Sequence, residues 1–217
     1  MATKTKKAKI TAEQITEEYL NVVLTEGSAP GSVFKFARDL GMSEEEFYAH
    51  FSSFEAIEME IWMGLMNQTL MALEEDENYE GFSAREKLLS FFYTHLEVLK
   101  SRRSFVKLRW PGLKQSVKTP DSIKAYKEHF LKFAKTIVIE AINADEIKER
   151  QFISDRYNQA LWIQLAFVVD YWCNDTSKNF EQTDAAVEKA VNLTFEVLSE
   201  STLDRALDFV KFLWQSK

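Results

Sequence analysis

Cysteine occurs once in these 217 residues, at Cys173. No internal disulfide can form, so a reducing setting, the cytoplasm, is expected. Cys173 reads as a small buried hydrophobe. Glycine appears six times and proline three times, and no stretch alternates β-branched residues between hairpin turns, which argues against a sheet protein. The only histidines, His50, His95 and His129, lie on separate segments with no acid at ligand spacing, so no metal centre is expected. A glycine-rich phosphate loop and a nucleophile elbow are also missing. Neither an enzyme nor a cofactor is therefore expected. The longest strongly apolar run, 160–171, is interrupted by Gln164 and Asp170 and is too short to span a bilayer. No apolar core follows the lysine-rich start, so it does not read as a secretory signal.

What the chain does have is apolar residues at helical spacing. With 46% hydrophobic and 13% aromatic residues and a net charge of −7, it can build a sizeable core. The expected fold is all-α, with about nine or ten helices. Thr11 caps a first helix that turns Ile15, Tyr19, Val22 and Val23 inward. A long helix from near Ser53 carries Ile57, Ile61, Leu65, Leu70 and Leu73, and EEDENYEG breaks it. Ser83 caps a helix with Leu88, Phe92, His95 and Leu99 on one face. Another from Asp121 uses Ile123, Tyr126, Phe130, Phe133, Ile137 and Ala141. Ser154 caps a helix that is apolar nearly all round and so is covered on more than one side. Val187, Ala190, Val191, Thr194 and Leu198 mark a further helix, and Leu203, Leu207, Val210 and Leu213 a final one.

The segment GSVFKFARDLGMSEEEFYAHFSSFEAI, 31–57, is the most specific. Val33, Phe36, Ala37 and Leu40 give one helix face, and Gly41 ends the helix. Ser43 followed by Glu46 forms a capping box, and the acids Glu44, Glu45 and Glu46 suit the positive end of the helix dipole. Phe47, Tyr48 and Phe51 are expected to anchor this short helix. In order and spacing the segment resembles the helix-turn-helix of the TetR family of transcriptional regulators. The resemblance implies a DNA-reading domain over 1–53 and a connector helix with a ligand-binding and dimerisation domain over 54–217. It places the helix opening at Ser43 in the major groove, with Glu44, Glu45 and His50 facing bases and Tyr48 near phosphate. Ser32 and Lys35 at the start of the preceding helix, and an N-terminal arm bearing Lys4, Lys6 and Lys7, complete the expected DNA contacts.

Two departures bear on that expectation. Where the family usually has a phosphate-binding lysine after the recognition helix, this chain has Phe54. Up to Ser53 it also holds six bases against eight acids, a balance of −2, whereas DNA affinity rests largely on neutralised phosphates. Glutamate can still accept from a cytosine amino group.

In the larger domain Phe91, Phe92, His95, Trp110, Tyr126, His129, Phe130, Phe133, Trp162 and Phe167 are candidates for lining a site for a hydrophobic small molecule or lipid, although ordinary core packing accounts for the same residues. Tyr157, Leu161, Leu165, Val168, Trp172, Val187, Val191, Thr194 and Leu198 are the expected homodimer surface, as the resemblance implies a four-helix interface. Residues 101–120 carry six bases and no acid, which would suit an anionic lipid or acyl coenzyme or, more simply, neutralise nearby acidic helices. Asp175, Ser177 and Phe180 give a DxSxxF pattern similar to that of a lipid-binding protein of ubiquinone biosynthesis with TetR architecture. The alternative reading is thus a lipid-binding protein of this fold that no longer binds DNA.

Overall fold

A computed structural model describes residues 9–112, 119–150 and 156–199. Among these residues there are nine α-helices and no strand. The N-terminal three are α1 (Ala12–Glu26), α2 (Val33–Leu40) and α3 (Glu44–Tyr48). The long helix α4 (Phe54–Glu74) leads from them to α5 (Ala84–Lys100), α6 (Arg103–Arg109), α7 (Lys124–Asn143), α8 (Tyr157–Asn174) and α9 (Glu181–Ser199).

The caps fall where the sequence puts them. Thr11, Ser43 and Ser83 each accept from the amide three residues on and are closed by Gln14, Glu46 and Glu86 in capping boxes. Each such cap contributes about 1 kcal/mol. Gly41 ends α2 in the left-handed conformation with φ 83°. A longer-range cap was not foreseen: the Glu146 carboxylate accepts from the amides of Ala84 and Arg85 at 2.8 and 3.2 Å, closing the start of α5 from another helix's trailing loop.

α4 packs against α5 and α7, α8 against α7, and α9 against both α5 and α8. Aromatic rings packed at tilted and edge-on angles hold the centre together. Trp62 lies 5.5 Å from Phe105, 5.8 Å from Trp110 and 5.6 Å from Tyr126, and Phe130 lies 6.1 Å from Trp162. Truncating one such buried ring costs about 3–5 kcal/mol.

The basic stretch contains a helix that the sequence reading passed over, α6, whose Phe105 and Val106 are fully buried while Leu108 faces solvent. Its charges allowed only part of its apolar spacing to register. Leu113, Lys114, Lys118, Ser154, the lysines Lys4, Lys6 and Lys7, and the expected final helix lie outside the described residues.

Candidate nucleic-acid interface and effector bundle

The N-terminal three-helix segment, where the resemblance implies the reading head, is built around an aromatic knot. Phe47 and Phe51 are buried at 0% and 3%. Phe54 stacks on Tyr19 at 5.5 Å and meets Phe36 and Phe47 edge-on at 5.3 and 5.7 Å. Around this knot α2 and α3 turn Lys35, Glu44, Glu45 and Tyr48 outward. Tyr48 is 52% exposed, so it presents its hydroxyl rather than anchoring the helix as expected. Glu46 is occupied at the Ser43 amide, 2.8 Å away. Arg38 is paired with its neighbour Asp39 at 3.2 Å. His50 departs from its expected role: its Nε2 is buried without a hydrogen-bond partner, so that edge of the ring cannot face a base. The short α3 ends at Tyr48, and in the turn after it the His50 amide donates to Phe47 O at 2.9 Å, with the side chain half-buried.

A second set of polar groups joins this head to the bundle. Glu58, 3% exposed, accepts on Oε1 from the Tyr19 hydroxyl of α1 and from the Arg109 guanidinium of α6, both at 2.5 Å. Burial, with Glu58 beside it, pushes the Tyr19 hydroxyl well above the ordinary tyrosine range. Nearer the surface Arg102 holds the Glu17 carboxylate with both terminal nitrogens, one of them at 3.1 Å. Its hydrogen bond lowers the pKa of Glu17. The sequence reading missed Glu58, although a signal was present: Glu58 falls in register with Ile61, Trp62, Leu65 and Thr69, so it is an acid inside an apolar stripe.

Thr69 and His95 form the other buried polar element. His95, fully buried, has Nδ1 2.8 Å from Thr69 Oγ1 and Nε2 2.6 Å from the Tyr126 hydroxyl. Thr69 donates to Leu65 O at 2.9 Å. This assigns the proton to His95 Nδ1, with Tyr126 donating to Nε2. The network ties α4, α5 and α7 at one point. Burial pushes His95 down to about 3, so it is neutral at physiological pH.

The expected ligand-lining residues divide into three groups. Phe91, Phe92, His95, Tyr126 and Phe130 are 0% exposed, Trp162 2% and Trp110 8%. They pack ring against ring and fill the space they were expected to line, a correction in favour of core packing. His129 and Phe133 do border a cleft, of about 390 Å³, between α4, α5, α7 and the turn at Tyr79–Gly81. Leu70, Leu73 and Ile137 give it apolar walls, and Lys87, bound to Glu140 at 2.9 Å, stands at its side. Phe167 is 38% exposed beside Tyr171, apart from the others. No group of three metal-ligating side chains occurs among the described residues.

Residues 87–213, more than half of the chain, match the family of tetracyclin repressor-like C-terminal domains. The chain belongs to the TetR family. It is a transcriptional regulator of that family. Over 137 residues it is 26% identical to the fatty acid metabolism regulator protein of Bacillus subtilis, spanning 63% of this chain and 70% of that one. Its fold is similar to the transcriptional regulator FadR from Bacillus subtilis in complex with stearoyl-CoA, with TM-score 0.65, 21% identity and coverage of 86% and 98%. It is likewise similar to the fatty acid degradation regulator FadR from Bacillus halodurans, with TM-score 0.63, 18% identity and coverage of 88% and 97%.

Several features stand differently once this TetR chain is seen folded. The residues expected at the dimer surface lie inside one chain: Leu165, Trp172, Val187 and Val191 are 0% exposed, Val168 1%, Tyr157 and Leu161 2%, and Leu198 8%. Half-buried Thr194 bonds Gln164 at 3.3 Å, across α8 and α9. The correction has a simple cause. The most apolar faces of α8 and α9 serve the core, and the residues between them, Ile163 and Phe167 on α8 and Leu193 and Val197 on α9, are the exposed apolar ones.

The DxSxxF residues form an end cap. Asp175 accepts from the Ser177 amide and from the Thr183 amide and hydroxyl, and hydrogen bonds to Ser177 and Thr183 hold its carboxyl down at about 2. Phe180 sits with Trp172 around the Arg103 guanidinium, each ring 4.4 Å from it. The basic stretch is similarly engaged, since Arg102, Arg103 and Arg109 all serve intramolecular contacts. No helix among the described residues is long and apolar enough to cross a membrane.

Proposed function

We propose that this TetR-family chain is a non-enzymatic, cytoplasmic regulator that binds a palindromic operator as a twofold dimer and responds to a long-chain acyl thioester. The observation that carries the reading is the buried Tyr19–Glu58–Arg109 contact, which makes the first helix of the reading head, the connector α4 and the bundle helix α6 one mechanical unit.

Residues 1–53 act as the reading domain and 54–217 as the connector and effector domain. Glu44 and Glu45 accept from cytosine amino groups, while Tyr48, Lys35, the Ser32 and Ser43 helix starts and the arm with Lys4, Lys6 and Lys7 meet phosphate. The arm offsets the acidity of the head. The effector class follows from the relatives, one a fatty acid metabolism regulator and one bound to stearoyl-CoA. An acyl chain entering beside Phe133 and Leu73 would push on α4, and α4 would carry Tyr19 and the reading head with it. The free energy of that switch equals the difference in acyl affinity between the two arrangements. Dimerisation uses the stripes Ile163–Phe167 and Leu193–Val197, which flank the Gln164–Thr194 contact on adjoining helices. It would set two reading heads about one helical turn of DNA apart.

The test is binding of the purified protein to its own promoter-region fragments at several salt concentrations, with and without stearoyl-CoA. A steep loss of affinity with salt, and release of the fragment by micromolar stearoyl-CoA but not by coenzyme A, are expected. Glu44→Gln and Glu45→Gln should relax base preference. If they instead raise affinity for every fragment alike, these glutamates only repel phosphate. Absence of binding even at low salt selects the competing reading that the acidic head favours, a lipid-binding protein without an operator.

A further inference from the structure

A second groove lies where the reading head meets the bundle, separate from the cleft beside Phe133. It measures about 530 Å³ and runs between α1 and α4, within the range of about 300–1,000 Å³ typical of small-molecule sites. Leu20, Ile61 and Leu65 supply its apolar lining, and Thr16, Gln68, Ser101 and Arg102 its polar lining.

Two independent features mark it as more than a seam. The first is Gly64, in the middle of a 21-residue helix, where glycine is less favourable than alanine. Its φ is not positive, and apart from its chain neighbours and the adjacent backbone of its own helix no atom stands within 4 Å of the place a Cβ would take. Neither backbone conformation nor packing therefore calls for glycine here, and its effect is to leave the groove open. The second is the state of Arg102. Its guanidinium grips the Glu17 carboxylate with both terminal nitrogens, in the fork geometry that suits a carboxylate. The two side chains are 40% and 54% exposed, so water competes for the pair and another carboxylate can exchange into it.

We infer that this groove binds a small amphiphile with a carboxylate head and a short saturated chain. The head takes the place of Glu17 on Arg102, and the chain lies over Gly64 against Ile61 and Leu65. Glu17 then turns to solvent, and α1 loses one of its ties to the bundle. Free short-chain carboxylates thereby become a second input to the regulator, beyond the acyl thioester in the effector domain.

The experiment is calorimetric titration of the full-length protein with octanoate, octyl phosphate and octylamine. Octanoate is expected to bind, octyl phosphate to compete with it for the same arginine because a phosphate accepts the same two-pronged grip, and octylamine not to bind at all. Gly64→Leu, which fills the groove, and Arg102→Gln, which removes the head partner, should each weaken octanoate at least tenfold. Gly64→Ala should raise Tm while weakening octanoate about threefold, and it serves where the leucine variant fails to fold. Octanoate binding that is absent in the wild type, or equal in the wild type and both the Gly64 and Arg102 variants, overturns the inference. Octylamine binding as tightly as octanoate does so too. Octanoate binding without stearoyl-CoA binding leaves this groove standing and removes only the acyl thioester reading.

Discussion

Replacing Glu58 by glutamine tests the junction on which the proposed coupling depends. The substitution keeps shape and leaves an oxygen for the Tyr19 hydroxyl, but it removes the anion that Arg109 faces at 2.5 Å. Deleting one partner of a buried pair costs about 3–5 kcal/mol, because the other charge stays desolvated. Arg109 is 32% exposed and can recruit some water, which reduces the expected loss to about 2–3 kcal/mol. For a chain of this length that corresponds to a Tm lower by roughly 4–12 °C. Urea denaturation of Glu58→Gln, Arg109→Gln and the double variant completes a cycle. The double variant leaves no stranded charge, so it should recover at least about 1 kcal/mol relative to the sum of the singles. An unchanged Tm in Glu58→Gln, or singles that add within about 0.5 kcal/mol, would refute the claim that this contact is a coupled buried pair.

Three further outcomes are expected. His95 has its folded pKa lowered to about 3 from an ordinary 6.5, so protonation favours the unfolded chain. The stability this provides is fully present above pH 6.5 and is lost as pH falls toward 3, at up to about 1.4 kcal/mol per unit. Urea unfolding at pH 7, 6 and 5 should show that slope in the wild type and lose it in His95→Gln, and a flat wild-type profile speaks against the buried neutral histidine. The carboxyl of Asp175, lowered to about 2 from 3.8, contributes stability that is fully present above pH 3.8 and is lost as pH falls toward 2, so the two windows overlap only between about 3 and 3.8. At the outer face, Ile163→Glu and Leu193→Glu should convert dimers to folded monomers in light scattering, since both side chains are more than half exposed within one chain. Dimers that survive both changes would place the interface elsewhere.

How much of this was legible beforehand differs from one element to the next. The caps at Thr11, Ser43 and Ser83, the stop at Gly41 and the inward faces of α5 and α7 depend on spacings of three and four residues, and those interactions are complete within one helix. The same locality explains the errors. The resemblance implies an outward His50, whereas the burial of its Nε2 depends on how α3 ends against its neighbours. The residues expected at the dimer surface were apolar and correctly helical, yet which of two apolar faces is covered by the same chain depends on the packing partners. Phe91, Tyr126 and Trp162 were recognisable as one cluster, but whether they line a space or fill it depends on a few ångströms of helix separation.

The sequence by itself determined an all-α fold, the capped starts of α1, α3 and α5 and a helix-turn-helix of the TetR kind, because periodicity and capping act between residues one or two turns apart. Tertiary structure alone decided that Glu58 meets Tyr19 and Arg109, that Arg102 reaches Glu17 and that Glu146 caps α5. Each joins groups tens of residues distant, and a side chain's charge or length says nothing about which distant group the fold will bring within 3 Å of it.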